Sequence, residues 1–219
     1  MVNIFENATE AFEHYVDKCM RYGKKHGETL ALFDECFRIM NPMDNVITTK
    51  RRKFSKSYAE KEWEWYLSGN PNAEEISKHA KIWINHMDEN GNVQSNYGWQ
   101  WKREEQLAKV LQKLKVNPDS RQAVVSIYDG KEINNYEYDT PCTTTIQFQI
   151  VNKKLNMTVC MRSNDIWFGF CNDQYMFSNL LNYACAILEI DMGTYTHFAA
   201  NLHLYNNKII EKQLWKDLN

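Results

Sequence analysis

Apolar residues recur at helical spacing through much of the first half of the chain and alternate with polar ones through much of the second. Behind Asn7-Ala-Thr-Glu10, Phe12, Tyr15, Val16, Cys19 and Tyr22 fall three or four apart, which predicts a helix with a capped start. Leu30, Leu32, Phe33 and Phe37 predict a second helix after Gly27, and Val46-Ile-Thr-Thr49 predicts a short strand. Trp63, Tyr66 and Leu67 predict a helix over 58–67, stopped by Ser68-Gly-Asn-Pro71. A further helical patch covers 76–86 before the turn Asp88-Glu-Asn-Gly91, and Leu107, Val110, Leu111 and Leu114 share one side of a helix over 106–114. Then the character changes. Runs over 123–128, 145–151 and 155–162 read as strands, with Asn152-Lys153-Lys154 as a hairpin turn between two of them. A long helix over 173–189 and a strand over 195–205 follow. The expectation is one α+β domain over 1–219, built on a mixed, mostly antiparallel β-sheet packed with helices, its strand order open.

Composition narrows the function classes. Lys+Arg number 26 and Asp+Glu 28, a net charge of −2, which argues against a polybasic nucleic-acid or membrane-surface binder. The run Lys50-Arg-Arg-Lys53 reads as solvated surface. No stretch approaches the roughly 18–20 apolar residues of a membrane span, since the most apolar window, 176–190, is interrupted by Ser178, Asn179, Asn182 and Glu189. The acidic start MVNIFENATEAFEH is no secretory signal, and six cysteines without a CxxC pair read as reduced thiols, so a cytoplasmic protein without a metal site is expected.

Two clusters can carry chemistry. Cys142 follows Pro141 at the entry to a strand, where a thiol can face a cleft; any one cysteine is more often an inert core thiol. Arg162-Ser163-Asn164-Asp165 sits at the end of the next strand, and an Arg beside a Ser suits a phosphate, although alone it reads as a solvated turn.

Together these residues form an ordered series. Pro141-Cys142, Gln147-Phe148, Arg162-Ser163-Asn164-Asp165 leading to Gly169, Asn172-Asp173 and His203-Leu204-Tyr205 resemble the thymidylate synthase superfamily. Upstream, Glu62-Trp-Glu-Trp-Tyr66 resembles the helix of its catalytic glutamate. Lys81-Ile-Trp83 and Asn96-Tyr-Gly-Trp-Gln-Trp101 resemble its folate-side segments, and Pro118-Asp-Ser-Arg121 its phosphate arginine stretch. The resemblance runs from about Val46 to Tyr205. It implies Cys142 as nucleophile and Glu62 as organiser of protons and water. It implies Arg162 and Ser163 on a 5′-phosphate, with Arg121 reaching the partner's phosphate site across a sheet-to-sheet homodimer. His203 and Tyr205 would hold the sugar, while Trp83, Asp165 and Gly169 would line the side of 5,10-methylenetetrahydrofolate.

Departures from the synthase pattern choose a branch. Synthases face the pyrimidine with an Asn where this chain has Asp173, and carry a His after the nucleophile where this chain has Thr143. An amide matches uracil, whereas a carboxyl group complements N3 and the amine of cytosine. The chain here is similar to the deoxycytidylate hydroxymethylases of T-even-type phages. The resemblance implies dCMP and methylenetetrahydrofolate as substrates, water addition in place of hydride transfer, no direct nucleic-acid binding, and host cytoplasm as the setting. Gln122 replaces the second Arg of the synthase phosphate pair, Arg51 or Arg52 is the candidate for the N-terminal phosphate arginine, and Leu214-Trp-Lys-Asp-Leu-Asn219 is no hydrophobic closing tail. Alternatives stay open: methylation of dCMP, a CMP enzyme, a dUMP enzyme with Asp173 protonated, a nucleotide- or RNA-binding relative without catalysis, and Asp173 as a helix N-cap.

Overall fold

The computed structural model describes residues 2–132, 136 and 138–207. In chain order the elements begin with β1 (Asn3–Phe5), α1 (Ala8–Tyr22), β2 (Lys24–His26) and β3 (Thr29–Ile39). Then come α2 (Lys56–Ser68), α3 (Glu74–Ser77), a 3-10 turn at Lys81–Asn85, α4 (Tyr97–Lys102), a second such turn at Arg103–Glu105 and α5 (Gln106–Val116). The last are β4 (Val124–Ser126), β5 (Thr143–Val151), β6 (Lys154–Met161), β7 (Asn164–Asp165), α6 (Gly169–Leu188) and β8 (Asp191–Tyr205). The tail segment from Leu214 discussed above lies outside the described residues.

The sheet is mixed, in the order β1-β3-β8-β6-β5-β4, with β2 added to β3 and β7 to β8. β8 is its spine. It runs antiparallel to β3 and parallel to both β6 and β7. Strand side chains alternate between the two faces. Leu155, Met157, Val159 and Met161 of β6 and Tyr195, His197 and Ala199 of β8 point into the core, against Phe12 of α1 and Phe170 and Phe177 of α6. Thr158, Cys160, Thr196 and Phe198 point the other way and stay partly exposed. The β5–β6 hairpin turns at Asn152 and Lys153, both left-handed (φ 52° and 61°), the pattern of a tight primed turn.

Local chemistry explains most boundaries. Asn7 accepts from the Glu10 amide while Glu10 accepts from the Glu6 amide, a reciprocal cap that starts α1. Ser55 caps α2 at its start and left-handed Gly69 (φ 69°) ends it.

Three expectations are corrected. Residues 29–39 form a strand, not a helix. Asp34 (φ 56°) interrupts the ladder between the pairs Phe33–Asn201 and Glu35–Ala199 without shifting the register, one residue being passed over on each strand, and the buried side chains change parity across it, from Leu32 to Phe37 and Ile39. That change spaces the apolar residues as a helix would. Residues 46–49 form no strand: the Thr48 amide and the Thr9 hydroxyl bond each other, and Thr49 donates to Glu13, so this segment is spent on α1 instead of a ladder. The patch over 76–86 divides into α3 and the 3-10 turn rather than one helix.

One glycine fixes how the helices meet. A Cβ on Gly98 would fall 1.7 Å from the Tyr66 carbonyl oxygen, so α4 lies directly on the backbone of α2 and stacks Tyr97 on Tyr66 at 5.6 Å. Gly98→Ala should therefore separate these helices and cost at least about 3 kcal/mol in urea unfolding, near the upper end for an overpacked contact. An unchanged midpoint would refute this account of the contact.

Candidate active site

One cleft of about 310 Å³ opens at the end of the sheet where β5 begins and β8 finishes. Strand pairing brings its parts together. The Arg162 amide donates to the Cys142 carbonyl (2.8 Å), and the Ile166 amide to the His203 carbonyl (2.7 Å). Helices α2 and α6 supply the opposite wall. Cys142, Glu62, Asp173, Ser163, Asp165, Gly169, His203, Tyr205 and Trp83 all line this cleft.

Cys142 is half-buried, with an Arg162 Nη2 3.8 Å from its Sγ. Arg162 is itself tied down, donating from Nε to the Pro141 carbonyl (3.0 Å) and from Nη2 to the Thr140 carbonyl (2.9 Å). Burial pushes the thiol up to about 11; Asp173, Asp139 and Asp165 push the same way, and only Arg162 opposes them. At neutral pH the group is a thiol.

Glu62 is 5% exposed on α2. Tyr58, one turn earlier, donates its hydroxyl to Glu62 Oε1 at 2.6 Å and accepts from Trp83 Nε1 at 2.9 Å. Burial raises the Glu62 carboxyl to about 7, with the Tyr58 hydroxyl pulling it down. Asp173 is shifted in the same direction. Burial, then the nearby Glu62, lifts it well above the usual carboxylate range, against one hydrogen bond from Asn164 Nδ2 to its Oδ2 (2.8 Å). It stands five residues into α6, which starts at Gly169, so the N-cap reading and the start at 173 are both corrected. Burial also raises Asp165 to about 6, although it accepts from the Trp167 amide at 2.8 Å. Three carboxyl groups thus share one desolvated space, where charge on any of them discourages charge on the others.

His203 Nδ1 pairs with Asn201 Oδ1 at 3.0 Å, its ring meets Tyr205 edge-on at 5.1 Å, and burial lowers its basicity. Arg121 is elsewhere, lining a different cavity with Lys109, Lys113 and Gln122, outside the cleft of its own chain. Of the two N-terminal arginines, Arg51 is ion-paired with Asp17 at 2.6 Å, while Arg52 donates to the Trp167 carbonyl at 2.5 Å and faces Asp165.

Sequence reasoning missed several contributors. Tyr58 was legible in its i, i+4 spacing from Glu62 on one helix face. Asn164 stood inside the quoted Arg162–Asp165 block without a role. Asp139 accepts from Ser95 and lies 3.6 Å from His86 Nδ1, on the cleft wall beyond Cys142; the sequence held no signal for that meeting, because it joins three loops.

The family model for thymidylate synthase matches residues 6–218. The chain belongs to the thymidylate synthase family. Family membership implies a folate-dependent C1 transferase that modifies C5 of a pyrimidine nucleotide, with methylenetetrahydrofolate as co-substrate. The mixed sheet packed against helices is the fold expected of it. Among the described residues no group of three or more His, Cys, Asp or Glu is placed to hold a metal ion, and no helix is long and apolar enough to cross a membrane.

The Glu62 carboxyl ties this enzyme's stability to pH. Unfolded, it ionises near 4.5; folded, near 7. Between those values the folded state keeps a proton that the unfolded state has lost, so Glu62 contributes a stability that declines as pH rises through the window, by about 3 kcal/mol in all. Glu62→Gln removes that decline. In urea unfolding the variant should gain on the wild type between pH 4.5 and pH 8 by about this amount, and a pH-independent difference would sink the assignment.

Proposed function

We propose that this member of the family is a deoxycytidylate 5-hydroxymethylase, converting dCMP, methylenetetrahydrofolate and water to 5-hydroxymethyl-dCMP and tetrahydrofolate. The observation that carries it is Asp173, a carboxyl group on the cleft wall whose acid form desolvation favours, at the position from which synthases present an amide. A neutral carboxyl offers one donor and one acceptor, the complement of cytosine N3 and its exocyclic amine. A cytoplasmic setting goes with this reading.

Cytosine C5 is a poor nucleophile until something adds at C6. In this reading Cys142 Sγ adds there, giving up its proton, and Arg162 stabilises the thiolate against the three acids that oppose it. Electron density moves toward N3, where the acid proton of Asp173 meets it. Methylenetetrahydrofolate supplies a one-carbon unit at the oxidation level of formaldehyde to the activated C5. The residues at the mouth suit its flat rings: Trp83 lies beside Ile82 and Phe168, which are 54% and 48% exposed, an apolar rim above an acidic floor. Once C5 has lost its proton and tetrahydrofolate has left the transferred carbon, an exocyclic methylene remains on the pyrimidine. Water adds to it, and Cys142 departs from C6 to restore the ring. Glu62, balanced near 7 and tethered by Tyr58, can pass a proton to or from that water. Arg162 and Ser163 would take the 5′-phosphate, and His203 and Tyr205 the 3′-hydroxyl.

The open face of the sheet, with Phe198 and Cys160, would meet a second copy, and that copy's Arg121 would complete the phosphate site. Two experiments test this reading. Incubation with dCMP should add CH₂O by mass spectrometry, Cys142→Ala should abolish tritium release from C5, and Asp173→Asn should move preference toward dUMP by about 100-fold or more. A gain of CH₂ instead would make the enzyme a methylase; reaction of dUMP alone would overturn the role of Asp173. Separately, inactive Arg121→Ala and inactive Cys142→Ala chains, unfolded together and refolded, should recover roughly a quarter of wild-type activity, since half the dimers are mixed and each has one intact site. No recovery would refute the shared site.

A further inference from the structure

Asp173 does not meet the cleft with two equivalent oxygens. Asn164 Nδ2 donates to Oδ2 at 2.8 Å. Asn164 comes from β7, paired with Leu202 of β8, and is 2% exposed. Its own Oδ1 is buried with no hydrogen-bond partner among the described residues. Gly169 closes the arrangement from the first turn of α6: a Cβ there would fall 3.2 Å from Asn164 Nδ2 and 3.2 Å from Asp173 Oδ2. The amide and the carboxyl are thus held against each other with little room to rotate.

An N–H aimed at Oδ2 is accepted better by a carbonyl oxygen than by a hydroxyl oxygen. In the acid form the proton is therefore favoured on Oδ1, and Oδ2 remains an acceptor. We propose that Asn164 is a positioning residue that selects the base: by bonding Oδ2 it fixes which oxygen of Asp173 donates and which accepts, and so admits cytosine and rejects uracil. The inference rests on the reading that Asp173 pairs with the pyrimidine.

Chemistry makes such a device necessary. Cytosine presents an acceptor at N3 beside a donor amine at C4. Uracil presents a donor at N3 beside an acceptor at C4, the same pair in reverse. The side-chain amide of asparagine has its donor and acceptor fixed by covalent bonds, so it matches one order only. A carboxylic acid does not, because moving its proton from one oxygen to the other reverses its pattern and lets it pair with either base. An acid that is to discriminate needs that proton confined from outside. Asn164 supplies the confinement, at a distance and burial where an unmatched polar contact is costly.

The test uses three proteins: wild type, Asn164→Leu, which removes the donor, and Asn164→Asp, which replaces it with a group able to accept a proton from Oδ2. Binding of dCMP and of dUMP is measured by calorimetry on a Cys142→Ala background, and tritium release from C5 of each nucleotide is measured with Cys142 present. The expected result is a fall of about tenfold or more in the dCMP:dUMP ratio for Asn164→Leu, and a larger fall for Asn164→Asp, with thermal unfolding confirming a folded chain. Equal losses on both nucleotides, leaving the ratio unchanged, would overturn the proposal and leave Asn164 as a piece of wall. If Asn164→Leu does not fold, the near-isosteric Asn164→Asp decides alone. A wild type that prefers dUMP would refute the hydroxymethylase reading on its own; the Asn164 proposal would survive only in the form of a ratio that still moves with the substitutions.

Discussion

Glu62 and Asp173 face the same cleft from α2 and α6, Glu62 buried and Asp173 partly so, and the rest of the site is arranged around that desolvation. In water each would be a carboxylate; here burial raises Glu62 to about 7 and lifts Asp173 well above the usual carboxylate range. Glu62 adds to the rise of Asp173, so ionising Glu62 favours the acid form of its neighbour. Asp165 is drawn in the same direction. The outcome is a set of acids whose carboxyl groups are all held above their ordinary range, which suits the proposed reaction with its donor at N3 and its added water. It also sets the difficulty for Cys142, whose thiol must ionise beside those acids with Arg162 as its one opposing charge. A dry acidic pocket serves the pyrimidine and hinders the nucleophile.

The fold places these groups from its most rigid parts. β8 and the short β7 hold His203, Asp165 and Asn164 in register, and β5 and β6 do the same for Cys142 and Arg162. Asp173 comes from α6, while Glu62 of α2 and Trp83 of the 3-10 turn are both secured through the hydroxyl of Tyr58. The contact of Gly98 with the Tyr66 backbone then fixes α2 against α4. Packing that stabilises the helical layer and packing that aims Glu62 are the same packing.

How legible all this was depended on how far each feature reached along the chain. Cys142, Arg162, Asp165, Asp173 and His203 announced themselves as an ordered series, because a site built on strand ends recurs as motifs with characteristic spacing. The fold class followed from periodicity, yet β3 was misread. A left-handed residue at Asp34 changes which face the strand buries, turning a two-residue repeat into something close to a helical one, and only pairing with β8 resolves it. The segment near Val46 has strand-forming residues but no neighbour to ladder with, since its amides and hydroxyls are taken by α1. Propensity describes what a residue tolerates; the partner decides what it does.

The contact between Asn164 and Asp173 marks a different limit. Both residues were in view as sequence, one inside a quoted motif and one assigned to the base, but nothing in their spacing says that one aims an N–H at the other. That requires β7 to run beside β8 and α6 to begin at Gly169, where the absence of a side chain lets the two groups touch. Replacing an amide by an acid changes the hydrogen-bonding capacity of a site without settling its polarity, because an acid's proton is free to move between its oxygens. On the proposed reading, a change of base specificity in this fold is not contained in position 173. It belongs to the pair, and the second member meets Asp173 only while Gly169 keeps it within reach.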